Sequence, residues 1–354
     1  MRSGFSTSAC AAAAACAAIR GLTSGTEVES VEINLPLRGR FRFDISFFEK
    51  KPDQCTCGVI KDAGDDPDVT HGIEIRVTAV WNQVMENRLF GGTGVGIVTL
   101  PGLPVEVGQP AINPGPRRLI HQVLADYFKA NKISGTFDLT ISVPDGERIA
   151  QETMNPQLGI LHGISILGTD GIVHPYSIPA YRASIGINLN FAIENGYHEV
   201  GLVTGTRSEA YLKRDFPNCF VINVGDNIEF PLSRVSRTPL KKVIIGGMIG
   251  KMAKLAQGRF NTHVDQGRID FEFLASLAAD QGASPAAVER IRTAVTAHQV
   301  QKILLPEGVA IETILAQHAA HQTSIRLKGS KTVQICIYTL DGKLLGSALS
   351  EEKE

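Results

Sequence analysis

No run in this chain approaches the ~20 apolar residues of a membrane-spanning helix. A dense basic stripe is missing too, and the formal net charge is -1, so duplex nucleic acid is not the expected partner. Zinc-type cysteine spacing is absent: the six cysteines are scattered at Cys10, Cys16, Cys55, Cys57, Cys219 and Cys336. Cys55-Thr56-Cys57 lacks both the two-residue gap and the second pair that such a site needs. A disulfide framework does not suit a chain of this size, so reduced thiols in a soluble cytoplasmic protein are expected. Neither a Gly-x-Ser-x-Gly nucleophile elbow nor a His-Glu-x-x-His zinc helix occurs, which removes two common hydrolase chemistries.

What is present is an ordinary globular composition, 354 residues with 43% hydrophobic and 20% charged. That is enough chain for a sizeable core and for two domains. The most distinctive stretch is Lys61-Asp62-Ala63-Gly64-Asp65-Asp66-Pro67-Asp68-Val69-Thr70-His71-Gly72, with four carboxylates inside seven residues. Like charges so crowded repel, and Gly64 and Pro67 break regular structure, so a shaped loop is predicted. An EF-hand reading from Asp66 fails, because His71 and Val77 stand where glycine and a bidentate acid are required. A solvated acidic turn is the plain alternative. Asp65, Asp66, Asp68 and His71 are the catalytic candidates, with no protein metal site called.

The Ala-rich run after Arg2 faintly resembles a signal peptide. Ser6, Thr7 and Ser8 supply helix caps ahead of strong helix formers, and residues 8 to 20 read as a buried helix. Alternation at Val31, Ile33 and Leu35, then Phe41 and Phe43, predicts strands around a turn at Arg38-Gly39-Arg40. Ile73 to Val80 alternates again, so the acidic loop joins two strands. A helix is expected from about Arg117 to Ala130 and a strand from Phe137 to Val143. After residue 180 strands and helices alternate: helices at Tyr181–Asn195, Ser208–Arg214, Ile249–Ala256, Phe271–Asp280, Pro285–His298 and Ala310–Ala320. Strands are expected at Glu199–Val203, Cys219–Val224, Val243–Ile245 and Gln301–Leu305, with Val333–Tyr338 closing the domain. The fold class is therefore mixed α/β and α+β, with a strand-rich irregular domain over 1–180. A Rossmann-like, mostly parallel, doubly wound domain follows over 181–354.

Three glycine-bearing loops follow strands of the second domain: Thr204-Gly205-Thr206, Gly225-Asp226-Asn227 and Gly246-Gly247-Met248-Ile249-Gly250-Lys251. Ligands of open α/β sheets bind past such carboxyl ends. The last loop is too short for a Walker motif, and no loop matches the full dinucleotide fingerprint. A nucleoside ligand without polyphosphate fits better, with tight turns alone as the alternative. Gly205, Thr206, Gly225, Asp226, Gly246, Gly247 and Gly250 are the cofactor candidates. In the first domain, Gly92, Gly94 and Gly96 would allow close approach of a flat ligand or of the other domain. Arg117 and Arg118, after Asn113-Pro114, could bind carboxylates.

Together these segments resemble the CbiD family, the cobalt-precorrin-5B C1-methyltransferases of anaerobic cobalamin synthesis. The likeness runs through Gly4-Phe5-Ser6-Thr7, Lys61 to Gly72, Gly94 to Thr99, Pro101-Gly102-Leu103 and Ala111 to Pro114. It continues through Asn155-Pro156, Leu158-Gly159-Ile160, Gly163 to Thr169, Gly171-Ile172-Val173 and Asn261-Thr262-His263, and is loose over the last seventy residues. It departs at Ser8, Asp170, Met248 and Val264. The resemblance implies methyl transfer from S-adenosylmethionine to C1 of a cobalt-corrin intermediate, giving cobalt-precorrin-6A, with cobalt arriving on the substrate. It places Lys61, Gly92, Gly94, Gly96, Asn113, Arg117, Arg118, Ser165, Thr169, Thr262 and His263 on the carboxylate-rich macrocycle, and Asp226 on the donor's ribose. Two rivals stay open, a metal-dependent phosphohydrolase using the acidic loop and a non-catalytic tetrapyrrole carrier. Homo-oligomerisation is compatible with either.

Overall fold

The computed structural model describes residues 1–36, 38–263 and 267–350, so Val264 lies outside the described residues. Strands and helices mix in two compact units, Met1–Tyr181 and Arg182–Glu354.

The first unit begins with a short strand β1 (Gly4–Phe5) and a helix α1 (Thr7–Ser24). The Ser6 hydroxyl caps α1 by accepting from Ala9 N–H, and Gly25, in the left-handed region at φ 75°, ends it. Residues Ala9 to Ile19 are at most 1% exposed, as expected of a helix apolar on every side. Its neighbours are a hairpin, β2 (Ser30–Leu35) with β3 (Gly39–Asp44), and a five-stranded sheet. That sheet is built from β4 (Phe47–Lys50), β5 (Gln54–Ile60), β6 (Glu74–Trp81), β7 (Arg88–Gly91) and β10 (Phe137–Ser142), in the order β4-β5-β6-β10-β7. Period-two alternation buries Cys55, Cys57, Ile75, Val77, Ala79, Phe137, Leu139 and Ile141. A helix α2 (Pro114–Asn131) packs on α1, its first turn preset by Pro114 and Pro116. Short strands β8 (Gly94–Val95) and β9 (Ile97–Val98), the helix α3 (Gly146–Ala150), and β11 (Ile160–Leu161), β12 (Gly163–Ile164) and β13 (Ile172–Val173) complete the unit.

Here the glycines of the Gly91–Gly96 run have a different reason from the expected one. A Cβ on Gly94 would sit 1.8 Å from the Val143 carbonyl oxygen, one on Gly96 would sit 2.4 Å from Ile160, and one on Gly92 2.3 Å from the Ser142 hydroxyl. The space is taken by the unit's own chain, β8 pairing with β12 and β9 with β11.

The second unit takes up most of helix α4 (Ile178–Glu194) and contains β14 (Glu199–Val203), α5 (Thr206–Asp215), β15 (Phe220–Asn223), α6 (Glu229–Val235), β16 (Lys242–Met248) and α7 (Ile249–Ala256). Then come α8 (Phe271–Asp280), α9 (Pro285–Arg292), α10 (Ala297–Leu304), α11 (Glu312–Arg326), β17 (Thr332–Tyr338) and β18 (Leu344–Leu349). The sheet order is β15-β14-β16-β17-β18, with every pairing parallel except β17 with β18.

Four expectations fail in this unit. The helix expected over Pro285–His298 stops at Arg292, and the loop expected over Gly246–Lys251 is instead the end of β16 and the first turn of α7. Gln301–Leu305 is helical, not a strand. Thr296 caps α10, and Ala297, Val300, Ile303 and Leu304 form one buried stripe, so Ile303-Leu304-Leu305 was too short a run to separate strand from helix. Nor does Val333–Tyr338 close the domain. An Asp341-Gly342 turn, with Gly342 at φ 89°, folds β18 back onto β17.

Candidate active site

The acidic loop spans the gap between β5 and β6, closed at its base by Lys61 N–H donating to Ile73 and Gly72 N–H to Lys61. Its carboxylates do not converge; each is committed elsewhere. Asp62 receives two bonds from the Arg2 guanidinium at 2.5 and 2.8 Å, and Asp65 receives the Arg2 backbone N–H at 2.6 Å. That Arg2 pairing first, and the Gly64 N–H next, hold the Asp62 carboxyl down to about 2. The chain crosses here so closely that a Cβ on Gly4 would lie 2.0 Å from the Ala63 carbonyl carbon. Asp66 accepts from the Tyr176 N–H at 3.2 Å.

Asp68 is the strongest structural anchor. It bonds the Lys61 ammonium at 2.7 Å, while its other oxygen accepts the Thr70 N–H and hydroxyl at 2.8 and 2.6 Å. Burial works against its charge, but Lys61 and Thr70 outweigh that and keep its pKa below the ordinary carboxylate value. Lys61 is 1% exposed. Expected to reach a substrate carboxylate, it is instead turned inward, because Asp68 neutralises it inside the fold.

His71 is more than half exposed, and its Nδ1 accepts the Ala63 N–H at 3.1 Å. That bond leaves the proton of the neutral ring on Nε2. The exposed nitrogen is thus a hydrogen-bond donor, a different role from a base. Of the loop acids, Asp62 comes nearest to the ring, 4.0 Å from Nδ1.

The other first-unit candidates scatter. Ser165 is buried and donates to Asn155 Oδ1, so it belongs to the interior and not to a ligand surface. Asn113 stands at the N-cap of α2, and Thr169 lies near the same first turn, where a Cβ on Gly115 would be 3.3 Å from its hydroxyl. Arg118 is exposed on the first turns of that helix, and Arg117 is half-buried beside it.

In the second unit the candidates do gather. Asp226, just past β15, pairs with the Lys251 ammonium at 2.9 Å and accepts the Thr262 hydroxyl at 3.1 Å. Lys251 also donates to the Thr204 carbonyl at the end of β14, and Thr262 N–H to the Asp226 carbonyl. Thr262 therefore joins the group called for the cofactor rather than one called for the macrocycle. Burial again opposes the Asp226 charge, and Lys251 wins, holding its pKa below the usual range. Gly205, ahead of Thr206 at the start of α5, and Gly250 have open space where a side chain would go. Gly225, at φ 52°, turns the chain into Asp226. Gly246 differs: its missing side chain makes room for Leu212 of α5, 3.1 Å away. Gly247 likewise admits Met252 and Thr204, at 2.7 and 3.0 Å. His263 is exposed and its carbonyl accepts from Lys254.

Two participants were missed as site residues. In the sequence Lys251 shows only an incomplete phosphate-loop pattern, whereas Arg2 has no local signal at all. Among the described residues no group of three or more His, Cys, Asp or Glu side chains is placed to hold a metal ion. Among the same residues no helix is long and apolar enough to cross a membrane.

The family model described as CbiD matches residues 1–175, and that described as CbiD, C-terminal domain, matches residues 261–349, which takes in most of the last seventy residues. A protein of Geobacillus sp. (strain WCH70) named cobalt-precorrin-5B C(1)-methyltransferase is 42% identical, covering 99% of this chain and 98% of its own. A protein of the same name from Pseudomonas fluorescens is 39% identical over 98% of this chain and 96% of its own. A crystal structure of a cobalamin biosynthesis protein (cbiD) from Archaeoglobus fulgidus is 28% identical, covers 74% of this chain and 82% of that one, and superposes with a TM-score of 0.39. With identity of this order over nearly its whole length, the chain belongs to the CbiD family.

Proposed function

We propose that this protein transfers the methyl group of S-adenosylmethionine to C1 of cobalt-precorrin-5B, giving cobalt-precorrin-6A in anaerobic cobalamin biosynthesis. The relatives' shared name supports the substrate and the position methylated. The observation that carries the donor assignment is the Asp226–Lys251–Thr262 cluster at the carboxyl ends of β14, β15 and β16. Strand order reverses there, β15 lying on one side of β14 and β16 on the other, which is where open, Rossmann-like sheets take nucleosides. An ionised, partly exposed carboxylate at the end of β15 suits the vicinal hydroxyls of a ribose, and open space at Gly205 and Gly250 suits close backbone approach.

The chemistry asks little of a protein nucleophile. As the C1–methyl bond forms, the sulfur–methyl bond breaks, and the sulfur leaves as a neutral thioether. Alignment and exclusion of water dominate such a displacement. The acidic loop contributes shape, and His71 Nε2–H offers a donor to a substrate oxygen.

Calorimetry with S-adenosylhomocysteine tests the donor site: the protein binds it, and Asp226→Asn weakens binding about tenfold. Corrin binding without affinity for this ligand would leave a carrier. For the loop, methyl transfer is measured in Asp66→Asn and His71→Asn. Unchanged rates in both would remove it from the chemistry.

A further inference from the structure

A hollow of about 620 Å³ opens on the first unit, lined by Glu86, Asn87, Arg88, Leu89, Phe90, Arg117 and His121. Its basic groups are not alike. Arg88 is already matched by Asp138, at 2.5 and 2.8 Å, and its guanidinium lies 5.4 Å from the Phe90 ring centroid. Arg117 is half-buried and spends Nε on the Ile112 carbonyl at 3.0 Å and Nη1 on the Leu89 carbonyl at 3.4 Å. Among the described residues no carboxylate pairs with it. Those two bonds fix the plane of the guanidinium and leave one N–H on Nη1 and both on Nη2, the two nitrogens an end-on fork uses. His121, one turn along α2, is close enough to feel the Arg117 charge. Glu86 is exposed at the rim, and its field acts on Arg88 and His121.

A partly desolvated guanidinium without a counter-ion is costly unless something anionic completes it. Bidentate geometry favours a planar anion. We infer that this hollow is a carboxylate subsite, in which Arg117 forks onto a carboxylate of the ligand, His121 donates beside it, and Phe90 borders its apolar frame. The identity of that ligand as the corrin substrate rests on the functional reading above; a small free carboxylate is the other source of the same chemistry.

The test compares binding of cobyrinic acid, its methyl ester and citrate to the full-length protein, without any methyl donor, so failure here is distinguishable from failure of the donor assignment. Arg117→Gln is expected to weaken the acid about tenfold or more and to leave the ester unchanged. Arg117→Lys, which keeps charge but not the fork, should give a smaller loss and serves if the Gln variant does not fold. His121→Gln should also weaken the acid alone. Citrate bound through Arg117 with the corrin acid indifferent to it would assign a small carboxylate instead and overturn the corrin assignment. Equal wild-type affinity for acid and ester, or no loss of acid binding in the Arg117 variants, overturns the subsite itself.

Discussion

Lys61 and Asp68 make the sharpest energetic claim. The ammonium is 1% exposed, and its carboxylate partner, 25% exposed, lies 2.7 Å away. Asp68→Asn can keep the Thr70 bonds through its amide oxygen but leaves a buried cation unmatched. Removing one partner of a buried pair costs about 3–5 kcal/mol, and the partial exposure of Asp68 places this case near about 3 kcal/mol. Lys61→Met keeps most of the stem and leaves Asp68 its Thr70 donors and some water, so a loss of about 1–2 kcal/mol is expected. With Lys61→Met in place, Asp68→Asn should cost almost nothing more, giving a coupling energy of about 3 kcal/mol. Urea unfolding followed by Trp81 reads this directly. Trp81 is the single tryptophan, stands in β6, and packs 4.4 Å from Phe137. The pH dependence follows from the depressed Asp68 pKa. Its contribution is complete above the unfolded carboxylate value of ~3.9 and is lost as pH falls through the lower folded value. Asp68→Asn should lack that acid-sensitive portion. A loss below about 1 kcal/mol, or strictly additive single variants, would refute the reasoning.

Gly94→Ala places a side chain 1.8 Å from the Val143 oxygen at a backbone φ of 73°, so a loss above about 4 kcal/mol in Trp81-monitored unfolding is expected. Gly108→Ala, at φ 85° with nothing within 4 Å, should cost only about 1 kcal/mol by the same measurement. Arg2→Ala should raise the Asp62 titration from about 2 part of the way toward ~3.9 in a carboxyl carbon NMR series, the Gly64 N–H still acting on it, and stability at neutral pH should fall in proportion to the shift measured. The six cysteines are all buried, and burial pushes Cys10 and Cys219 up to about 12. Ellman's reagent should therefore react slowly with native protein and count every thiol in urea; rapid native labelling would contradict the packing.

Much of the local structure was legible because it depends on spacing along the chain. Alternation at Ile73, Ile75, Val77 and Ala79 marked β6, and the strand Glu199–Val203 and the helix Phe271–Asp280 fall where the periodicity put them. Serine ahead of an alanine run marked α1. Errors came where spacing carries no decision. A three-residue apolar run at Ile303 is compatible with either period, and the Asp341-Gly342 turn was passed over.

The candidate sites were less legible. Asp226 and Thr262 are 36 residues apart and Arg2 and Asp62 are 60 apart, distances over which no pattern along the chain assigns partners. Sequence alone determined that Lys61 to Gly72 had to be a shaped, charged loop between strands, because crowded carboxylates with Gly64 and Pro67 oppose any regular element. It also set the glycine turns after β14 and β15, whereas Gly246 and Gly247 lie inside β16 and Gly250 in α7. Only the tertiary structure decided that Lys61 points inward, that the Gly94 space is filled by backbone, and that Lys251 joins Asp226. Burial and long-range pairing select among the partners a charge or a glycine could take, and both exist only once the chain has closed on itself.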